Sequence, residues 1–138
     1  MRLILTQKEK IDTGKILNGG ASYSDGSDLI FIGKVRDISR GKKVTHIDYE
    51  IYNEMALKEL NRIADEASLN HELNRIIIIH RYGRVLLGET SIVILVSSPH
   101  RDSSYQASRY IIDEIKKRVP VWKKEFYDDG SEWISDRS

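Results

Sequence analysis

Pro120 ends a helix and forces a corner near the C-terminal end of the chain. It follows Ile111-Ile112-Asp113-Glu114-Ile115-Lys116-Lys117-Arg118-Val119 and precedes Val121-Trp122-Lys123-Lys124-Glu125. Proline has no amide donor and drives the residue before it away from helical angles. The pattern therefore reads as the last turns of a helix, a stop, and then a strand. Lys116 falls in the final helical turn and Lys123 just beyond the break. Two lysines that would lie far apart along a straight helix can approach each other at such a corner.

The remaining elements follow from periodicity and punctuation. Residues 2–6 read as a short edge strand, and Asp12-Thr13 caps a short helix reaching Leu17. Residues 19–28, rich in Gly, Ser and Asp, read as a mobile loop. Leu29 to Arg36 is a strand, apolar on both faces and so expected to be central. A turn at residues 37–43 leads to a second strand, Val44 to Ile51, with Thr45, Ile47, Tyr49 and Ile51 on one face and His46, Asp48 and Glu50 on the other. Asn53 is the expected N-cap of a helix carrying Ala56, Leu57, Leu60, Ile63, Ala64 and Ala67 on one stripe. Arg75 to His80 and Glu89 to Ser98 are strands, the latter the most apolar. Ser103 and Gln106 have capping-box spacing, and Ser98 could also start the helix, whose stripe is Tyr105, Ser108, Ile111, Ile112 and Ile115. After Pro120, Val121 to Tyr127 is extended, Asp128-Asp129-Gly130 turns, and Ser131 to Ile134 returns. The sum is an α+β domain, a mostly antiparallel sheet with two main helices on it.

At 138 residues the chain is most simply one domain. Residues 1–27 supply an N-terminal strand, helix and loop, and residues 28–138 supply the core. There is no cysteine, which removes disulfides, thiolate metal sites and a cysteine nucleophile. Any sulfur handled here would have to come from another molecule. The balance of 22 basic and 21 acidic residues, a formal charge of +1, argues against a general nucleic-acid binder. No run approaches a membrane span, and Leu3-Ile4-Leu5 is too short for a signal-peptide core. These features read as a soluble cytoplasmic protein. No two histidines have metal-ligand spacing, so no metal is expected, and no Gly-rich phosphate loop is present; no cofactor is expected.

The candidate chemistry is cationic. A lysine beside an apolar stripe is partly desolvated, which lowers its pKa and suits it to proton transfer. Lys116 and Lys117 could equally complement the C-terminal helix dipole. His100-Arg101 lies just before a helix N-terminus, where free amides, a guanidinium and an imidazole suit a phosphate. The same pair could instead bond to local carbonyls or to Asp102. Arg36 at a strand end says little alone.

Taken in order, Phe31-Ile32-Gly33-Lys34-Val35-Arg36, His80-Arg81-Tyr82-Gly83 with Gly88-Glu89, Ser98-Pro99-His100-Arg101, and Lys116-Lys117-Arg118-Val119-Pro120-Val121-Trp122-Lys123-Lys124-Glu125 resemble the large, catalytic subunit of molybdopterin synthase, the MoaE family. The resemblance runs from about Leu29 to Arg137. It implies an α/β-hammerhead fold and a sulfur transferase of molybdenum cofactor biosynthesis, which converts cyclic pyranopterin monophosphate to molybdopterin. The two sulfurs would arrive as a thiocarboxylate on the C-terminal Gly-Gly tail of a small ubiquitin-like subunit. The implied assembly is a homodimer of large subunits with a small subunit at each end, a heterotetramer overall. By motif, Lys116 and Lys123 would be the catalytic lysines. Arg36, His100 and Arg101 would hold the substrate's phosphate, and Arg137 sits where the family has a further basic residue. Asn53-Glu54-Met55 stands where relatives often have Pro-Gly-Met.

Two other functions fit the residues. One is a non-catalytic module that binds a ubiquitin-like tail. The other is an RNA-binding domain stacking bases on Trp122, Phe126 and Tyr127, which the balanced charge disfavours. Geometry adds an expectation about the site. A helix from Arg101 to Lys116 would be about 24 Å long at ~1.5 Å per residue, too long for one small substrate to touch both ends. The phosphate and lysine sites would then meet only across a dimer.

Overall fold

The two isoleucine-rich runs pair with each other and form the centre of the molecule. In the computed structural model, which describes residues 1–20 and 22–135, β5 (Arg75–Arg81) and β7 (Thr90–Ser98) run antiparallel, with Ile78 opposite Ile94. β1 (Arg2–Gln7) adds to β5 in parallel, and β2 (Ser27–Lys34) adds to β7 antiparallel. The strand order is β1-β5-β7-β2. β2 is thus an edge strand rather than the central one its composition suggested. It is apolar on both faces because both faces of this sheet are covered, which matters more to its composition than its place in the order.

One face carries Ile76, Ile78, Ile92, Ile94 and Val96 against two helices, α2 (Asn53–Asn70) and α3 (Arg101–Arg118). The other carries Ile77, Ile79, Val93 and Leu95, with Ile11 and Ile16 laid over them from the segment around α1 (Thr13–Asn18). Asp12 caps α1 as expected, accepting from the Lys15 amide at 3.0 Å. The helices bury small residues where they approach each other and the sheet: Ala56, Ala64 and Ala67 on α2, Ser104, Ala107 and Ser108 on α3. Each fully buried Leu or Ile among them, such as Leu60 or Ile111, contributes about 1.5–3 kcal/mol of transfer free energy.

The remaining strands form a second sheet. It holds β3 (Ile38–Ser39), β4 (Lys42–Ile51), β6 (Gly83–Leu86), β8 (Val121–Tyr127) and β9 (Glu132–Ser135). β4 pairs antiparallel with β8 on one edge and β6 on the other. A bulge between Val44 and His46 breaks the expected alternation, so Val44, Ile47 and Tyr49 face the core while Thr45 is exposed. Two expected caps are displaced. Tyr52, not Asn53, is the N-cap of α2, and the Asn53 carboxamide accepts from the Thr6 hydroxyl instead. α3 begins at Arg101, so Ser103 lies inside the helix and Gln106 bonds to Asp102.

α2 and α3 are joined at one end by charge. Arg118 reaches Glu59 at 2.6 Å, Glu66 at 2.6 Å and Glu114 at 3.2 Å. Its guanidinium beside Glu66 holds that carboxyl down at about 2. This clamp fixes the last turn of α3, the turn that bears Lys116.

Candidate active site

Pro120 does what its chemistry requires. α3 stops at Arg118, Val119 takes extended angles, and β8 starts at Val121 to pair with Ile51. Lys123 then lies two residues into β8, opposite Tyr49. Lys116 from the helix and Lys123 from the strand line one cavity of about 430 Å³.

Arg36 lines the same cavity, and so do Lys34, Tyr49 and Glu125. A bulge at Ser91 of β7 shifts the register between Gly33 and Lys34, the last β2–β7 pair is Lys34 with Thr90, and the chain beyond it brings Arg36 to the cavity beside Lys34. Gly33 is required for that close approach: a Cβ there would stand 2.6 Å from the Ile92 Cγ2 atom. Phe31, Ile47 and Ile92 supply apolar wall.

The electrostatics are one-sided. Four cations face a single carboxylate, and among the described residues Lys34, Arg36 and Lys116 have no ion-pair partner. Lys123 pairs with Glu125 at 3.3 Å. Glu125 is 4% exposed. Burial alone would raise its carboxyl, but hydrogen bonding with Ser39 and the charge and hydrogen bond of Lys123 outweigh that and hold it below the ordinary carboxylate range. Desolvation lowers the pKa of Lys116, and the neighbouring Lys123 charge adds to the effect. Lys116 remains accessible through the open mouth, so water tempers the shift. The arrangement is an anion-attracting pocket with one lysine that gives up its proton more readily than a free lysine does.

Behind the pocket lies His80, only 2% exposed. Its Nδ1–H donates to the Arg81 carbonyl at 2.9 Å, and its ring meets Tyr49 edge-on with centroids 5.6 Å apart. Desolvation, reinforced by the charge of Lys116, pushes its pKa down to about 4 despite the bond to Arg81. Burial likewise raises the Tyr49 phenol. Sequence reading passed over His80, Tyr49 and Glu125. Glu125 stood inside the quoted lysine motif, and Tyr49 stood on the apolar face of its strand. For His80, the surrounding isoleucines were the available signal of burial.

His100 and Arg101 are elsewhere. They sit at the start of α3, His100 as its N-cap with no side-chain cap bond, and both are exposed. Neither lines the lysine cavity. The grouping of Arg36 with His100 and Arg101 therefore does not occur within one chain: Arg36 stands with the lysines. Arg137 lies outside the described residues.

Residues 6–118 match the family model described as MoaE protein. The molybdopterin synthase catalytic subunit of Pyrococcus abyssi is 46% identical over 114 residues, covering 83% of this chain and 77% of that protein. The corresponding subunit of Bacillus subtilis is 40% identical over 130 residues, covering 94% and 83%. The crystal structure of molybdopterin synthase from Staphylococcus aureus superposes with a TM-score of 0.87 at 34% identity, covering 94% of each chain. With the family model spanning most of its length, and relatives and a solved structure agreeing on both sequence and fold, the chain belongs to the MoaE family of molybdopterin synthase catalytic subunits.

Proposed function

We propose that this chain, acting as a single domain, inserts two sulfurs into a cyclic pyranopterin monophosphate to give the dithiolene of molybdopterin. The carrying observation is the meeting of Lys116, Lys123 and Arg36 in one cavity, with Lys123 held by Glu125. Each sulfur arrives as the terminal thiocarboxylate of a small ubiquitin-like subunit. That anion is drawn into a pocket holding four cations and one carboxylate. As each sulfur attacks a side-chain carbon of the pterin, a C–S bond forms and a C–O bond to that carbon breaks, the oxygen leaving with the opened phosphate ester or as water, and the two ammonium groups neutralise the negative charge that develops on the substrate. Lys116, with its lowered pKa, is the residue that exchanges a proton with the substrate. Water then takes the acyl group and releases the tail as a carboxylate, leaving the sulfur on the pterin. No cofactor of its own is needed for these steps.

The substrate's phosphate is held by His100 and Arg101. These residues stand at the opposite end of α3 from Lys116, so the complete site is made by two copies of the chain. His100 and Arg101 of one copy complete the Lys116–Lys123–Arg36 pocket of the other. The working assembly is a homodimer of this chain with a small subunit on each, acting in the cytoplasm.

Reconstitution tests the proposal. The chain is combined with a thiocarboxylated small subunit and the cyclic pterin, and dithiolene product is measured. Product from the wild type, lost in Lys116→Ala with small-subunit binding retained, supports it. Tight small-subunit binding without any wild-type product replaces it with a non-catalytic module that binds the tail.

A further inference from the structure

The loop that carries His100 and Arg101 is held from beneath by a chain of hydroxyls. Ser98 donates to the His100 carbonyl at 2.6 Å. Ser98 and Ser104 hydroxyls are 2.6 Å apart, and Ser27 donates to Ser104 at 3.0 Å. A serine hydroxyl has one proton and two acceptor sites. Ser98 has spent its proton on His100, so Ser104 must donate to Ser98. The chain then has one direction: Ser27 to Ser104 to Ser98 to the His100 carbonyl. Ser98 and Ser104 are fully buried, so no water can replace a missing member without new space. Aligned hydroxyls strengthen one another in such surroundings.

The same loop is also held from the side. The Gly26 amide donates to the Ser98 carbonyl at 2.9 Å. A Cβ on Gly26 would lie 2.2 Å from the Pro99 carbonyl oxygen, so the two backbones touch where only glycine fits. Gly26 is in turn anchored through its neighbour. The Asn74 carboxamide donates to Asp25 at 2.6 Å, and the Asn74 amide donates to the Ser97 carbonyl at 2.8 Å. The segment that reads from sequence as a featureless mobile loop is built against the His100–Arg101 turn.

We infer that Ser27, Ser98, Ser104 and Gly26 are positioning residues for the anion-binding pair His100–Arg101. They set where the first turn of α3 and its exposed imidazole and guanidinium stand. The inference rests on the proposed role of that pair in holding the substrate's phosphate. Because the lysine pocket shares none of these four residues, the device acts on substrate capture and leaves the sulfur chemistry alone.

The test uses the reconstituted complex with the small subunit. Ser104→Ala cuts the chain at its centre, Ser27→Ala cuts it at its half-exposed start, and Ser27→Thr keeps the hydroxyl. Expected is a rise in KM for the cyclic pterin of about five-fold in the two alanine variants, the size of one lost hydrogen bond, with kcat unchanged and Ser27→Thr at the wild-type KM. In an Arg101→Ala background the Ser27→Ala change should raise KM by a smaller factor, since one of the two groups it positions is gone. Equal KM in wild type and Ser27→Ala overturns the inference, even if Ser104→Ala fails to fold. So does a Ser27→Ala effect that persists undiminished on Arg101→Ala. Loss of wild-type product would instead remove the functional reading beneath it.

Discussion

Lys123 and Glu125 point to the same side of β8 and form an ion pair at 3.3 Å, the lysine at the cavity and the glutamate almost wholly buried. The carboxylate cannot move: Tyr127 donates to it at 3.1 Å, and Ser39 bonds to it from β3. Lys123 is therefore oriented by a fixed anion, and Glu125→Gln removes the charge while keeping the shape. Product formation should fall about ten-fold in kcat, since misplacing a reacting group is costly. Small-subunit binding and the circular dichroism spectrum should stay as in wild type. An unchanged kcat would show that Lys123 holds its place without help.

Lys116→Ala should be far more damaging than Lys123→Ala under the same assay. A loss of about 10²-fold or more in kcat is expected if Lys116 exchanges a proton with the substrate, as proposed. Lys116→Arg should not restore it, because a guanidinium stays protonated at every working pH. Recovery in the arginine variant would reassign Lys116 to charge neutralisation alone.

His80 makes stability depend on pH in a defined window. Its folded pKa of about 4 lies below the ordinary value of 6.5, so between those values the unfolded chain binds more protons than the folded one. Stability from this group is complete above pH 6.5 and is lost as pH falls through about 4. The full loss is on the order of 3 kcal/mol. Denaturant unfolding of wild type between pH 7 and pH 5 should show the decline begin. A His80→Phe variant should be flatter over that interval, whatever its absolute stability. Parallel slopes would mean that His80 takes up its proton without unfolding.

If the proposed composite site holds, mixing Lys116→Ala and Arg101→Ala chains should restore activity above either variant alone, because a heterodimer would retain one intact site. Subunits must be allowed to exchange before the assay. If mixtures never exceed the parents, the phosphate and sulfur sites do not complement across chains.

Arg118→Ala should lower the thermal midpoint by roughly 5 °C. Without the guanidinium, Glu59, Glu66 and Glu114 repel one another at the α2–α3 contact. Raising salt should narrow the gap to wild type, because screening relieves that repulsion.

Much of this architecture was legible because strong local chemistry fixed it. Pro120 set the end of α3, Asp12 set the start of α1, and Asp128-Asp129-Gly130 set the final turn. The α+β class followed from the alternation of strands and amphipathic helices. Tertiary relations were not legible in the same way. Both-face apolarity placed β2 at the centre when it lies at an edge, because α3 and the second core cluster cover its two faces. The N-caps of α2 and α3 shifted because Thr6 claimed Asn53 and the hydroxyl chain claimed the loop before α3. Lys116, Lys123 and Arg36 were named from motif, and the cavity joins them. His80 and Tyr49 were missed because a buried polar group on an apolar face looks like core until its neighbours are known.

α3 is also a spacer of fixed length and phase. Its 18 residues run from Arg101, just after the His100 N-cap, to a last turn bearing Lys116, and that far end is locked to α2 by Arg118. One inserted residue would advance everything after it by about 1.5 Å and turn it by roughly 100°. Lys116 would then leave the pocket, and Arg118 would leave its three carboxylates. Surface positions along this helix are free to vary in chemistry, but the number of residues between its ends is not. The separation between the His100–Arg101 turn and the lysine pocket is thus written into the chain as a count of residues.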